Sequence, residues 1–319
     1  MNQLFPNLRL PLIAAPMFLT SGPDLVVACC ENGVVGTFPA LNQRSTEGLD
    51  QWLTDIEARL AGKHAAPYGV NLIVHKTNPR VMDDLAVCEK HKVPLIITSL
   101  GAVPELVGRV QAWGGQVFHD IISARHAKKA AEAGVDGLIL VTGGAGGHAG
   151  NLNPFALLGE VRQFFKGTII LAGALGTGSD IAAAQMMGAD YAYMGTRFVA
   201  TEEAIVQDAY KQMIVDTTAA DILYTPAISS IAANFLRPSI VAAGLDPDQL
   251  TAPQSVDLAH VTDPHNKSHA KAWKDVWSAG QGVGNIHDVP TAQQLIERLE
   301  NEYHAAIAQF TTHAAAFKN

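Results

Sequence analysis

Residues 168–198 read TIILAGALGTGSDIAAAQMMGADYAYMGTRF, and the fold turns on how this stretch is parsed. An apolar run (TIILAG) ends in a glycine turn, a small-residue helical pattern follows (SDIAAAQMMG), and a second apolar run (YAYMGT) completes the unit. Ser179 is the expected N-cap of that helix and Gly188 its end. Runs that are apolar throughout, rather than alternating, predict strands buried on both faces, as in parallel sheets. Upstream the same unit recurs, with runs LIAAPM from Leu12, VVGTF from Val34, YGVNLI from Tyr68, LIITS from Leu95, QVFHDI from Gln116 and GLILVT from Gly137. Between them lie helical patterns such as PDLVVACCEN, with Pro23 in the first turn and Gly33 at its end, and ARHAKKAAEAG, ending at Gly134. Eight strand–helix units in about 200 residues favour an α/β fold of the (β/α)8 TIM-barrel type. A doubly wound sheet uses the same unit and stays open as the alternative.

Beyond about Ala204 the rhythm stops. Residues 208–288 mix helical patterns (AISSIAANFLRPSIVAAG) with proline-punctuated polar loops, and hold no further strand-like run. They are expected to form a mostly helical lid or substrate domain over the barrel mouth, with residues 1–207 and 289–319 making the barrel. The closing segment TAQQLIERLENEYHAAIAQF predicts an amphipathic helix capped by Thr291 and packed back on the barrel.

Composition narrows the function classes. With 319 residues, 48% of them hydrophobic and 16% charged, the chain has ample apolar surface to bury and is not disordered. A net charge of −8 disfavours a nucleic-acid partner. No apolar run approaches the length of a membrane span, the N-terminus lacks a signal-peptide pattern, and three cysteines (Cys29, Cys30, Cys88) suit a reducing compartment. A soluble, cytoplasmic protein is the expectation. Cys29 and Cys30 fall mid-helix and read as core. His265 and His269 have helical spacing but neither an HExxH pattern nor a third ligand nearby, so no metal is expected.

Two loops carry the chemistry. In LAGALGTGSD, Gly173, Gly176 and Gly178 would let backbone amides approach a ligand, and Ser179 and Asp180 begin a helix whose positive end suits a phosphate. Gly195 and Thr196 add to it from the next loop. The third glycine of a dinucleotide fingerprint is missing, since position 181 is Ile181. In VTGGAGGHAGNLNP, five glycines including Gly147 surround one polar side chain, His148. So many glycines suggest a flat ligand pressed on the backbone, and His148 can act there as a base or hydrogen-bond donor.

At these loops the sequence resembles the nitronate monooxygenases, formerly called 2-nitropropane dioxygenases. These are FMN-dependent barrels related to the flavin-dependent enoyl reductases of fatty-acid synthesis. The order APM (Ala15–Met17), GVN (to Asn71), GGAGGHAG, GALGTGSD and MGTRF, with KDVWSAGQGVG later in the chain, carries the resemblance. It implies that Ala15, Pro16 and Met17 lie against the flavin ring and that Asn71 hydrogen-bonds the cofactor. Gly173, Gly178, Gly195 and Thr196 would hold the FMN phosphate, Gly147 would line the cofactor beside His148, and Gly280, Gln281 and Gly282 would reach over it. Two positions depart from the pattern. Ala174 stands where many relatives have a second glycine, and Asp120 stands where some relatives carry a lysine against the cofactor.

The implied reaction is oxidation of an alkyl nitronate, or of the parent nitroalkane, by O2 to a carbonyl compound and nitrite, with His148 as the catalytic residue. An NAD(P)H-dependent FMN reductase of quinones or enoyl thioesters would use the same barrel. A non-catalytic binder of a phosphorylated metabolite is the third reading. The expected partners are small molecules, with no nucleic acid and no membrane; a homodimer stays open.

Overall fold

The computed structural model describes residues 5–251 and 273–317. Its strands, in chain order, are β1 (Leu12–Ala14), β2 (Val35–Pro39), β3 (Tyr68–Ile73), β4 (Leu95–Ser99), β5 (Gln116–Ile121), β6 (Gly137–Val141), β7 (Gly147–His148), β8 (Thr168–Ala172), β9 (Tyr191–Met194), β10 (Ile222–Thr225) and β11 (Ala233–Leu236). Each of the eight apolar runs forms one strand of a closed parallel barrel, β1-β2-β3-β4-β5-β6-β8-β9. Pairing of β1 with β9, Ile13 opposite Tyr193, closes the ring and removes the doubly wound alternative.

The helices α1 (Pro23–Glu31), α2 (Thr46–Leu60), α3 (Val81–Lys90), α4 (Pro104–Ala112), α5 (Ala124–Glu132), α6 (Pro154–Arg162) and α7 (Gly178–Met187) follow the first seven barrel strands. After β9 come the short α8 (Thr196–Val199), α9 (Asp208–Asp216) and α10 (Arg237–Ala242), and then α11 (Ala292–Ala315). The last supplies the eighth outer position, packing on α7 and α1. Thr291 caps it, with Gln294 reaching back to complete the capping box, and Leu295, Ile296 and Leu299 bury its apolar stripe.

Two cores result from strands buried on both faces. Leu12, Val70, Ile96, Val117, Leu138 and Leu171 meet the helices, while Ile13, Val35, Leu95, Ile97, Phe118, Ile139 and Ile170 fill the barrel. Phe5 plugs the end where the strands begin, its ring 5.8 Å from that of Phe118 and 5.9 Å from that of Tyr191. Packing at that end leaves the opposite rim, where the strands finish, to form a cavity. Cys29, Cys30 and Cys88 are free and buried, and loss of hydration pushes the Cys30 thiol up to about 12. They are core residues.

The excursion after β9 differs from the expectation of a mostly helical segment without strands. β10 and β11 form an antiparallel sheet completed by β7, with Ala233 opposite His148. The pattern AISSIAANFLRPSIVAAG is helical only over α10. Pro238 fits the first turn of a helix but not its interior, and upstream the backbone pairs with β7 instead. Tyr210, Ile214, Leu236, Ala279, Val283 and Ile286 join Val199 and Ala200 in one apolar cluster, which seats this segment against the rim.

Candidate active site

Inward-facing positions alternate along each strand, and the last inward layer at the rim is polar on one side. Asn71, Ser99 and Asp120 stand side by side at the ends of β3, β4 and β5. Asn71 Nδ2 donates to Ser99 Oγ (2.8 Å), and Ser99 Oγ donates to Asp120 Oδ2 (2.5 Å). Asp120 Oδ1 has no hydrogen-bond partner. Burial raises the Asp120 carboxyl to about 6, against the opposing effect of the Ser99 bond. Across the barrel Tyr193 contributes a second buried oxygen without a hydrogen bond, and small Ala15 and Ala172 lie in the same layer.

Above this layer opens a cavity of about 760 Å³, within the range of sites that enclose a cofactor or drug-sized ligand (roughly 300–1,000 Å³). Ala15, Pro16, Met17, Asn71, Asp120, Gly147, His148, Gly173, Ala174, Gly195, Thr196, Gly280 and Gly282 all line it. Ala15 is held there by its N–H bonding to Met194 O (2.9 Å), which extends the β1–β9 ladder past the end of β1.

The glycines have a cause that the sequence did not display. A Cβ at Gly146 would stand 2.9 Å from Gly280 N, one at Gly280 2.5 Å from Gly144 O, and one at Gly282 2.9 Å from the Ala174 carbonyl. Three loops thus interlock backbone to backbone, and this packing, more than a ligand, demands the residue type. Gly147 is different. Its φ is +69°, and a Cβ there would meet only Ser278 Oγ, at 4.0 Å.

His148 lies on β7 and is fixed by its neighbours. β11 pairs with it, Gly147 N–H donates to Ser278 Oγ (2.5 Å), and Asn234 Nδ2 donates to Gly143 O (3.0 Å) and Ala145 O (2.6 Å). Trp273 meets the imidazole edge-on at 5.0 Å, and Phe18 meets Trp273 at 6.2 Å, so an aromatic wall flanks the histidine. Sequence patterning missed Ser99, Tyr193, Asn234, Trp273 and Ser278. The first two were accessible from strand alternation, because each is an inward residue near a strand end.

One expected ligand of the phosphate, Gly178, falls elsewhere, and Gln281, expected to reach over the cofactor, does not line the cavity. Helix α7 is capped by Thr177, not Ser179. Asp180 Oδ2 already accepts from the amides of Gly176 (2.8 Å) and Thr177 (2.9 Å), and Glu302 accepts from Gly178 N–H (2.7 Å). Two carboxylates therefore saturate and oppose the anion site expected there. Gly178 lies outside the cavity, where a Cβ would stand 2.1 Å from Leu299 O, so the glycine serves the approach of α11. Gln281 is exposed, and only its N–H engages the region, donating to Gly144 O (2.9 Å). The pole of the cavity made by Gly144–Gly147, Gly173–Leu175, Gly195, Thr196 and Gly280 remains as a backbone-lined cradle without a carboxylate, in which the amides of Ala145, Gly147, Ala174 and Gly280 already donate within the protein. Thr196 Oγ1 accepts there from Gly280 N–H (2.9 Å). Arg197 of the MGTRF string is a clamp: buried, it donates to Ala200 O (2.9 Å) and Asp288 O (3.0 Å). His265 and His269 lie outside the described residues, among which no helix is long and apolar enough to cross a membrane.

The family model for nitronate monooxygenase matches residues 79–302. The chain belongs to the nitronate monooxygenase family. It is 25% identical to a nitronate monooxygenase of Paraburkholderia phytofirmans over 94% of this chain and 93% of that one. It is 27% identical, over 90% of each chain, to a (3aS,4S,5R,7aS)-5-hydroxy-7a-methyl-1-oxo-octahydro-1H-indene-4-carboxyl-CoA dehydrogenase of Rhodococcus jostii. Among solved structures it resembles the nitroalkane oxidase of Streptomyces ansochromogenes, with a TM-score of 0.82, 25% identity and coverage of 96% and 98%. Membership makes the protein a flavin-dependent oxidoreductase and sets aside a non-catalytic metabolite binder. The site fits a flavin: the cavity is large enough, one pole is lined by backbone without a carboxylate, and the floor carries two buried polar atoms, Asp120 Oδ1 and Tyr193 Oη, without a hydrogen bond.

Proposed function

We propose that this protein binds FMN and oxidises alkyl nitronates with O2 to a carbonyl compound and nitrite. The observation that carries this reading is the His148 imidazole, held by a three-stranded sheet and an aromatic wall at the edge of a cavity sized for a flavin. Gly173, Ala174, Gly195, Thr196 and Gly280 would hold the phosphate, Ala15, Pro16 and Met17 would lie under the ring, and Asn71 would bond its polar edge. When bound, the flavin supplies the electron acceptor and the reaction with O2.

The chain's own residues do the rest. His148 donates a hydrogen bond to the nitro oxygens of a nitronate and takes the α-proton when a neutral nitroalkane is offered. Phe18 and Trp273 shield that contact from bulk water, which strengthens it. Mixing under anaerobic conditions tests the reading: a nitronate alone bleaches the yellow protein, and NADH does not.

A second reading follows from the Rhodococcus relative, whose name specifies a CoA thioester. It is an NAD(P)H-dependent FMN reductase of enoyl thioesters or quinones in the same cavity. Rapid anaerobic bleaching by NADH, with none by nitronate, would select it.

A further inference from the structure

Two buried oxygens at the floor of the cavity are left without a hydrogen bond, Asp120 Oδ1 on β5 and Tyr193 Oη on β9. A buried polar atom left without a hydrogen bond loses its hydration uncompensated, so two facing one cavity mark a place where a ligand atom completes the set. They act on each other, since the Asp120 charge is among the causes that push the Tyr193 phenol up. Ser99 already donates to Asp120 Oδ2, so the Oδ1 atom is the one left to face the ligand.

We propose that Asp120, carrying its proton, and Tyr193 form a two-donor pocket for a ring oxygen that gains negative charge. Resting on the flavin reading above, that oxygen belongs to the pyrimidine edge of the bound cofactor. A neutral carboxylic acid and a phenol facing one cavity make a strong donor pair for a developing oxyanion between them, because neither partner brings a charge that must be desolvated. Loss of the proton turns the carboxyl from donor to repelling anion. The titratable groups lining the cavity with Asp120 are Tyr193, His119, His126, Lys129, His148 and Tyr210. Of these His119 is held neutral, its imidazole lowered to about 4 by burial, and it bonds Thr98 Oγ1 (2.7 Å).

The test uses the FMN-loaded protein with the isosteric variants Asp120→Asn and Tyr193→Phe, at about pH 5 and about pH 8, either side of the Asp120 value of about 6. Two quantities are measured: sulfite affinity, which reads how well the ring edge tolerates negative charge, and the midpoint potential of the flavin. Tyr193→Phe is expected to weaken sulfite about tenfold at both pH values and to lower the two-electron potential by about 30 mV. Asp120→Asn is expected to match the parent near pH 5 and to bind sulfite about tenfold more tightly near pH 8, where the amide still donates and the carboxylate does not. Identical affinities and potentials in all three FMN-loaded proteins would overturn the donor pair and leave the flavin reading standing. Failure of the parent protein to take up FMN would overturn both.

Discussion

His148 and Asp120 show what single residues contribute here. The histidine has no catalytic power of its own in a mobile loop; its value comes from β11, Ser278 and Trp273, which fix where its imidazole points. His148→Asn should lower nitronate turnover by about 10²–10⁴-fold, the usual weight of a positioned acid or base, with FMN content unchanged by absorbance. Unaltered turnover would remove the histidine from the reaction. Asp120 makes a prediction about stability. Its folded value of about 6 lies above the ordinary 3.8, so its contribution is fully present below about pH 3.8 and is lost as pH rises through about 6. In flavin-free protein well above that value, the charged carboxyl therefore costs up to about 3 kcal/mol. In flavin-free protein Asp120→Asn should raise the denaturation midpoint near pH 8 and leave it unchanged near pH 3.5, a contrast that urea titrations at the two pH values would read. His148 was legible in the sequence because, within a run of glycines and alanines, it is the one side chain able to move a proton. Tyr193 was legible only in part: alternation puts both tyrosines of YAYM on one inward face, and the barrel places the later one at the rim, against the cavity.

Among the elements, helix α7 departs furthest from its local sequence signal. Its glycines and small polar residues read as a phosphate-binding N-terminus, but the amides are taken by Asp180 and Glu302, the second from a helix more than a hundred residues away. A contact so distant in sequence leaves no local trace, which is why Gly178 looked like a ligand-binding glycine. Gly178→Ala should destabilise the fold by about 1–3 kcal/mol through displacement of α11, whereas a phosphate role would appear as weaker FMN binding at unchanged stability. Ala174 offers the opposite case. Its φ of +57° is a left-handed conformation that disfavours a Cβ, so Ala174→Gly should stabilise the protein by up to about 1 kcal/mol in denaturant titrations. The departure from the family glycine was visible in the sequence; that it carries backbone strain needed the dihedral. The β7–β11 pairing was hidden for a related reason. A two-residue strand has no periodicity, and Asn234 reveals its purpose only by reaching the carbonyls of Gly143 and Ala145.

Across the molecule, eight apolar runs sufficed to give eight barrel strands, since parallel strands buried on both faces leave a continuous hydrophobic signature. The eighth outer helix, legible as a Thr291-capped amphipathic segment packed back on the barrel, follows only after the chain leaves at β9 and returns at α11. That excursion gives the site its second wall: the barrel offers a backbone-lined cradle and a polar floor, and the segment after β9 brings Trp273, Ser278 and Gly280 over them. Everything proposed for the site depends on one flat phosphorylated ring lying between those two walls. The visible absorption spectrum of the purified protein, followed by release and quantification of any bound chromophore, tests this most directly. One FMN per chain, with flavin bands that shift on release, is the predicted result; a colourless protein that gains no flavin absorbance when FMN is added and the excess removed would contradict it.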